Sequence, residues 1–371
     1  MIRIAIDLLW VRHKKVGGIE SYIRNLLDGF SSLNDKFEFT LLVSHDNYDS
    51  FKHYEVDTRF KIYECNVKSE NVYKRILWQN LNLGNIIRRL GISICFEPYY
   101  CKPVFGCKNI KFITTIHDLQ ALHYPEYFSN LKNLWMRFSW YMAVSTSERI
   151  VAISNYVKDD ILKKYTNASD KVVTIYNPVT IDPNEFIPFT NVKDKYDISE
   201  AQYFFTVSSL LPHKNLETII NVMDKIKTNN INLPKKLIIS GIGGSSAKTL
   251  EKKIVEKGLE ENVILTPFID NNERNTLYKY CKAFLFPSVF EGFGMPPVEA
   301  MILGVPVITT RKTCLEEVTL NRATYVEDPF NVNEWIERIE REPSHSIYSS
   351  FIMYDKCKIA KNYLDLFSEI Y

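Results

Sequence analysis

The sequence has no C-x-x-C pair, no G-x-G-x-x-G and no uninterrupted apolar run of about 18 residues. Each absence removes a class. The seven cysteines (65, 95, 101, 107, 281, 314, 357) show no metal-ligand spacing. Their apolar settings, as in ISICFEP and KYCKAF, read as reduced core thiols rather than a disulfide or zinc framework. Without the glycine fingerprint, a dinucleotide-binding site has little support. Without a membrane-length run, no segment is expected to cross a bilayer. The opening MIRIAIDLLW lacks a basic leader followed by a sustained apolar stretch, so no secretory signal is expected and a cytoplasmic location is. Net charge is only +2, too little to point to nucleic acid.

What charge there is falls unevenly. Residues 1–180 hold 24 Lys/Arg and 18 Asp/Glu, or +6, and the remainder holds 22 and 26, or −4. Through the 371 residues, short β-branched runs alternate with helical patterns, the signature of parallel sheets covered by helices. The first series has predicted strands at 2–7, 37–43, 92–97, 111–115, 150–153 and 172–176, with helices at 19–31, 72–90, 131–146 and 156–164. NPVTIDPNEFIPF carries three prolines and no period, and reads as a linker. The second series has strands at 203–207, 236–240, 263–267, 283–286 and 305–309, with helices at 216–228, 247–257, 273–280 and 297–303. An α/β fold of two domains follows: 1–180, 181–350, and a helix at 351–371 that crosses back to the first. Ligands of such sheets bind at the carboxyl ends of strands.

Several strand ends carry candidate chemistry. VGGIE places Gly17 and Gly18 before a helix, where amides meet a phosphate or simply form a turn. TTIHDL places His117 and Asp118 after a strand, facing a substrate or capping a turn. In VSSLLPHKN, Lys214 supplies a point charge to a phosphate, or lies solvated beside an N-cap. SGIGGS, with Gly241, allows close backbone approach, and the main chain of PFI, with Phe268, can offer donors and acceptors to a base. FPSVFEGFGMPPVEA holds Glu291 in a glycine loop and Glu299 in the first turn of a helix predicted to start at Pro297, around amides near Gly294 that form an anion site. A carboxylate accepts the two hydroxyls of a vicinal diol.

In this order GGIE, IHD, LLPHKN, SGIGG and FPSVFEGFGMPPVEAM resemble family 4 of the retaining, nucleotide-sugar-dependent glycosyltransferases. The resemblance spans nearly the whole chain, is densest over 203–330, and is most specific at the E-x7-E of Glu291 and Glu299. It implies a GT-B fold, two facing Rossmann-like domains with a cleft between them, the acceptor held chiefly by the first and the nucleotide sugar by the second. It further implies Glu291 on donor-sugar hydroxyls, Glu299 on the ribose diol, Lys214 on the diphosphate, Gly17 and Gly18 approaching it from the other domain, and His117 beside the transferred sugar. Ser209, Gly241, Phe268, Gly292, Phe293, Gly294 and Met295 complete the implied donor site, with Glu291, His117 and Lys214 as catalytic residues. No metal and no cofactor beyond the nucleotide sugar are implied, and the sequence contains no D-x-D. Many relatives carry Arg where this chain has Ser209, whose hydroxyl cannot make a bidentate phosphate contact. His213 is a candidate to help there.

The resemblance favours a retaining transferase that builds bacterial surface polysaccharides, with GDP-mannose slightly ahead of other donors and a glycan or lipid-linked saccharide as acceptor. The rival readings are a nucleotide-sugar epimerase on the same fold and a non-catalytic nucleotide-sugar-binding protein. The stretch SNLKNLWMRFSWYMAV (129–144) mixes Lys132 and Arg137 with Trp135, Phe138, Trp140 and Tyr141. It reads either as a core helix or as a peripheral contact with an anionic membrane.

Overall fold

The computed structural model describes residues 2–13, 17–243, 247–341 and 348–371. The chain divides into two compact units, Met1–Val179 with Tyr354–Tyr371, and Thr180–Met353. Both are α/β layers on parallel sheets, and their apolar strands are buried on both faces.

Among the described residues the first unit holds β1 (Ile2–Asp7), β2 (Phe37–Ser44), β3 (Phe60–Cys65), β4 (Ile94–Glu97), β5 (Lys111–Ile116), β6 (Arg149–Ala152) and β7 (Val172–Thr174), in the order β3-β2-β1-β4-β5-β6-β7. The sequence pattern missed β3. FKIYEC is an edge strand whose Lys61 and Glu64 reach solvent, so it lacks the continuous apolar run of the central strands. The helix predicted over 72–90 is broken into Val72–Trp78, a π turn at Gln79–Leu83, and Gly84–Arg89. At that turn Gln79 Nε2 donates to Asp7 Oδ2 (2.6 Å), and Asn80 Oδ1 accepts from the Val104 amide (2.8 Å). The C-terminal helix Lys356–Ile370 packs on the helix Gly18–Ser32, so closely that a Cβ on Gly29 would lie 2.4 Å from Lys356 O. Tyr363 and Tyr22 hydroxyls join at 2.7 Å, and Lys111 Nζ donates to Ile370 O.

The second unit holds β8 (Tyr203–Val207), β9 (Lys236–Ser240), β10 (Val263–Thr266), β11 (Ala283–Phe286), β12 (Val307–Thr310) and β13 (Thr324–Val326), in the order β10-β9-β8-β11-β12-β13. The linker pattern ends inside a helix, Phe189–Tyr196, entered through Pro188.

Both sheets reverse direction of winding beside their first strand, between β1 and β4 and between β8 and β11. A crevice opens at such a switch point because the two flanking connections leave on opposite faces. In the first unit that edge holds Asp7 and Glu97, both fully buried. Burial, then the neighbouring Asp7, push Glu97 well above the usual carboxylate range. In the second unit the same edge is bordered by the loops after β8 and β11, which carry Lys214 and Glu291.

Candidate active site

The loop after β8 closes in a 3-10 turn, Pro212–Lys214, that is fastened to the loop after β11. His213 O accepts from the Val289 amide (2.8 Å) and from Ser288 Oγ (3.2 Å), and Asn215 Nδ2 donates to Pro287 O and Pro329 O. Asn215 sits at φ 50°, a conformation asparagine tolerates better than most residues. This fastening delivers Lys214 Nζ to Glu291 Oε1 at 2.6 Å. The two side chains are 18% and 11% exposed, so each stands at the edge of solvent while neutralising the other. The Glu291 loop is in turn held from behind. Its amide donates to Thr313 Oγ1 (3.1 Å), and the Cys314 thiol donates to Glu291 O and Phe293 O. Gly292 and Phe293 are buried beneath it. Thr313 and Cys314 were missed by sequence reasoning, because nothing local links the loop after β12 to a carboxylate more than twenty residues earlier.

Gly294, at φ 81°, caps the helix Met295–Ile302. That start lies earlier than the pattern predicts, with two consequences. Glu299 stands in the second turn, not the first. Pro296 and Pro297 take the second and third positions, and they lack amide hydrogens, so Met295 alone offers a donor among the first three residues. The helix end therefore contributes mainly through its dipole. Glu299 is 7% exposed and anchored: Tyr278 Oη donates to Oε2 (3.0 Å), and Arg274 lies 3.7 Å from Oε1. Arg274 and Tyr278 are one turn apart on the helix Asn271–Tyr280. That i, i+4 pairing was visible in NNERNTLYKY but had no meaning without its partner.

Gly241 has φ 91°, and a Cβ there would lie 2.4 Å from Ser208 O. Its glycine is thus required by the protein's own backbone, whatever else approaches it. Gly244 and Ser245 of the same motif lie outside the described residues. Ser209 is exposed, and Phe268 is 62% exposed beyond the carboxyl end of β10. The carbonyls of Thr266 and Pro267 accept from Ile242 and Gly241, so that part of the PFI main chain is already engaged. His213 is buried, and desolvation lowers its pKa to about 4. It is neutral at physiological pH and supplies no charge beside Ser209.

Gly17, Gly18 and His117 belong to the first unit. Gly17 caps the helix Gly18–Ser32 at φ 60°, and a Cβ on Gly17 or Gly18 meets no described atom within 4 Å. Val16 of that motif lies outside the described residues. Glu20, in the first turn, accepts from Arg24 Nε (2.9 Å) and fixes the loop's exit. His117 is buried, edge-on to Tyr22, with Nε2 2.8 Å from Pro98 O. A carbonyl only accepts, which assigns the hydrogen to Nε2 and leaves Nδ1 bare. Desolvation lowers its pKa to about 4. The unfolded chain therefore holds a proton that the folded protein has released between about pH 6.5 and 4, and this contribution to stability is lost as pH falls through that window. In an NMR titration His117 is expected to stay neutral as pH drops through 6.5. A midpoint at that ordinary value would show a solvated ring instead. Among the described residues no group of three His, Cys, Asp or Glu is placed to hold a metal ion.

Residues 16–183 match the family model described as Glycosyltransferase Family 4, and residues 189–342 match that described as Glycosyl transferases group 1. The chain belongs to the family 4 glycosyltransferases. Its relatives include the O-antigen chain mannosyltransferase RfbU of Salmonella typhimurium, 32% identical over 62% of this chain and 61% of that protein. O-antigen chain mannosyltransferase B of Escherichia coli is 28% identical over 60% and 58%. The chain thus spans about three-fifths of the length of these curated relatives. The fold is GT-B. The structure of Anabaena HepE in complex with UDP-glucose superposes with a TM-score of 0.73 at 14% identity, covering 100% of both chains. A glycosyltransferase from Rickettsia africae gives 0.72 at 18% identity, over 100% and 98%.

Proposed function

We propose that this family 4 member transfers a sugar, with retention, from a nucleotide diphosphate sugar to a hydroxyl of a glycan or lipid-linked saccharide, with GDP-mannose the favoured donor. The observation that carries the reading is the Lys214–Glu291 pair at the β8/β11 switch point, within the part that matches the group 1 model. The mannosyltransferase names of the relatives support the sugar.

In this reading the sugar–phosphate bond loosens toward an oxocarbenium-like state while the acceptor hydroxyl approaches the same face. Its proton passes to the departing phosphate. Lys214 and the dipole of the helix at Met295 meet the charge on that phosphate, and no resident metal is used. Glu291 exchanges its lysine contact for donor-sugar hydroxyls. Glu299, held by Tyr278 and Arg274, keeps acceptor capacity for the ribose diol. His117, neutral, lies beside the sugar as a hydrogen-bonding group rather than a charge. The first unit serves the acceptor and the second the nucleotide sugar.

A panel of nucleotide sugars tests this by thermal stabilisation. A donor at 100 times its Kd adds about 2.7 kcal/mol. GDP-mannose is expected to give the largest shift, and Lys214→Ala to remove it. No shift with any nucleotide sugar would sink the reading. Donor turnover without acceptor would favour the epimerase.

A further inference from the structure

The helix Asn130–Thr146 has two faces. Met136, Trp140 and Ala143 are buried, and Trp140 packs on Tyr100, which corrects its place in the predicted membrane-facing set. Leu131, Leu134, Trp135, Phe138 and Tyr141 share the opposite side, related by i, i+3 and i, i+4 steps such as 131/135, 134/138 and 138/141, and are 36–71% exposed. The helical segment that begins at Val72 repeats the pattern, with Tyr73, Leu77 and Leu81 four residues apart and 61–81% exposed. Both lie on one face of the first sheet. Leu83 and Ile87 pack with Cys95 and Phe112, and Lys102 covers the Phe112 ring while donating to Thr146 O at the end of the other helix. Phe105, 70% exposed, is carried by the same loop as Lys102.

Charge is concentrated in the same stretch. Residues 71–147 hold nine Lys/Arg and three Asp/Glu, a net of +6, and so account for the entire excess of residues 1–180. One of the three acids, Glu97, is buried and so takes no part in the surface. Among the described residues Lys74, Arg88, Arg89, Lys108, Lys132 and Arg137 form no ion pair. Among the described residues, ten of the 17 exposed large apolar side chains fall within this stretch too. Cations without an ion pair, in the same stretch as protruding aromatic and aliphatic residues and interleaved with them at Lys132 and Arg137, match an anionic bilayer: the cations meet lipid headgroups while the rings enter the acyl boundary. No helix among the described residues is long and apolar enough to cross a membrane, so the contact is along the surface.

We infer that this face of the first unit docks on anionic lipid membranes, with the helix Asn130–Thr146 lying in the interface. Flotation of the full chain with vesicles tests it in the absence of donor and acceptor, so the outcome is independent of the transfer reading. Binding is expected to vesicles containing phosphatidylglycerol, to weaken with salt, and to be far weaker on phosphatidylcholine alone. Each basic residue near the surface is worth about 1 kcal/mol, so Lys132→Ala with Arg137→Ala lowers partitioning about 30-fold. Leu134→Ser with Phe138→Ser removes inserted area and also abolishes flotation, and these exposed positions leave the melting temperature unchanged. No flotation with phosphatidylglycerol, equal binding to both lipids, or undiminished binding of both double variants would overturn the inference. So would a wild-type dimer in sedimentation that Leu134→Ser with Phe138→Ser dissociates without any vesicle binding, since the face would then be a self-interface.

Discussion

Lys214→Ala and Glu291→Ala are each expected to lower turnover by roughly 10²–10³, the loss typical of removing one preorganised charge-stabilising group. In the proposed mechanism the two substitutions act by different routes. Without Lys214, charge on the leaving phosphate meets only the helix dipole and the Met295 amide. Without Glu291, the donor sugar loses the carboxylate that orients it. They also share a structural cost. The pair closes at 2.6 Å with both side chains largely shielded, so each single variant strands the partner's charge in a poorly hydrated place. The double variant strands neither. It is therefore expected to melt above the less stable single variant and to be little slower than the slower one, because residues that act as a unit are not additive. Steady-state rates and melting curves of the three proteins check this. Near-normal turnover in both folded single variants would remove the site.

Gly241→Ala and Gly18→Ala are expected to fail in opposite ways. At Gly241 an added Cβ lies 2.4 Å from the Ser208 carbonyl, and the backbone has φ 91°. Backbone strain of about 1–3 kcal/mol adds to overpacking of about 1–3 kcal/mol. Melting of the second unit is expected to fall by roughly 10 °C. At Gly18 the φ is ordinary for an L-residue and a Cβ meets no described atom, so stability should hold. Any loss of turnover there reports a ligand at the backbone rather than a damaged fold. A stable Gly241→Ala protein, or a Gly18→Ala protein as active as the parent, would contradict the respective argument. The contrast matters because GG and SGIGG look alike as sequence, and the structure gives them different reasons.

Periodicity is a property of neighbouring residues, so it was legible without a fold. β-branched runs between helical stretches specified two parallel α/β layers, and the strands buried on both faces announced themselves most clearly. The edge strand β3 did not, since its Lys61 and Glu64 side chains reach water and interrupt the apolar run. Residue chemistry was legible on the same terms: a lysine, two carboxylates and glycines at strand ends.

What the sequence by itself determined is the layered fold and a set of groups able to bind a phosphorylated sugar. Tertiary structure alone decided their state. It brought Lys214 within 2.6 Å of Glu291 across 77 residues of chain, tied Glu299 to Tyr278 and Arg274, and placed Cys314 behind the Glu291 loop. It also made His117 and His213 neutral by burying them. The physical reason is common to all of these. Charge pairing and desolvation depend on distance and on the surrounding medium, and a linear pattern contains neither.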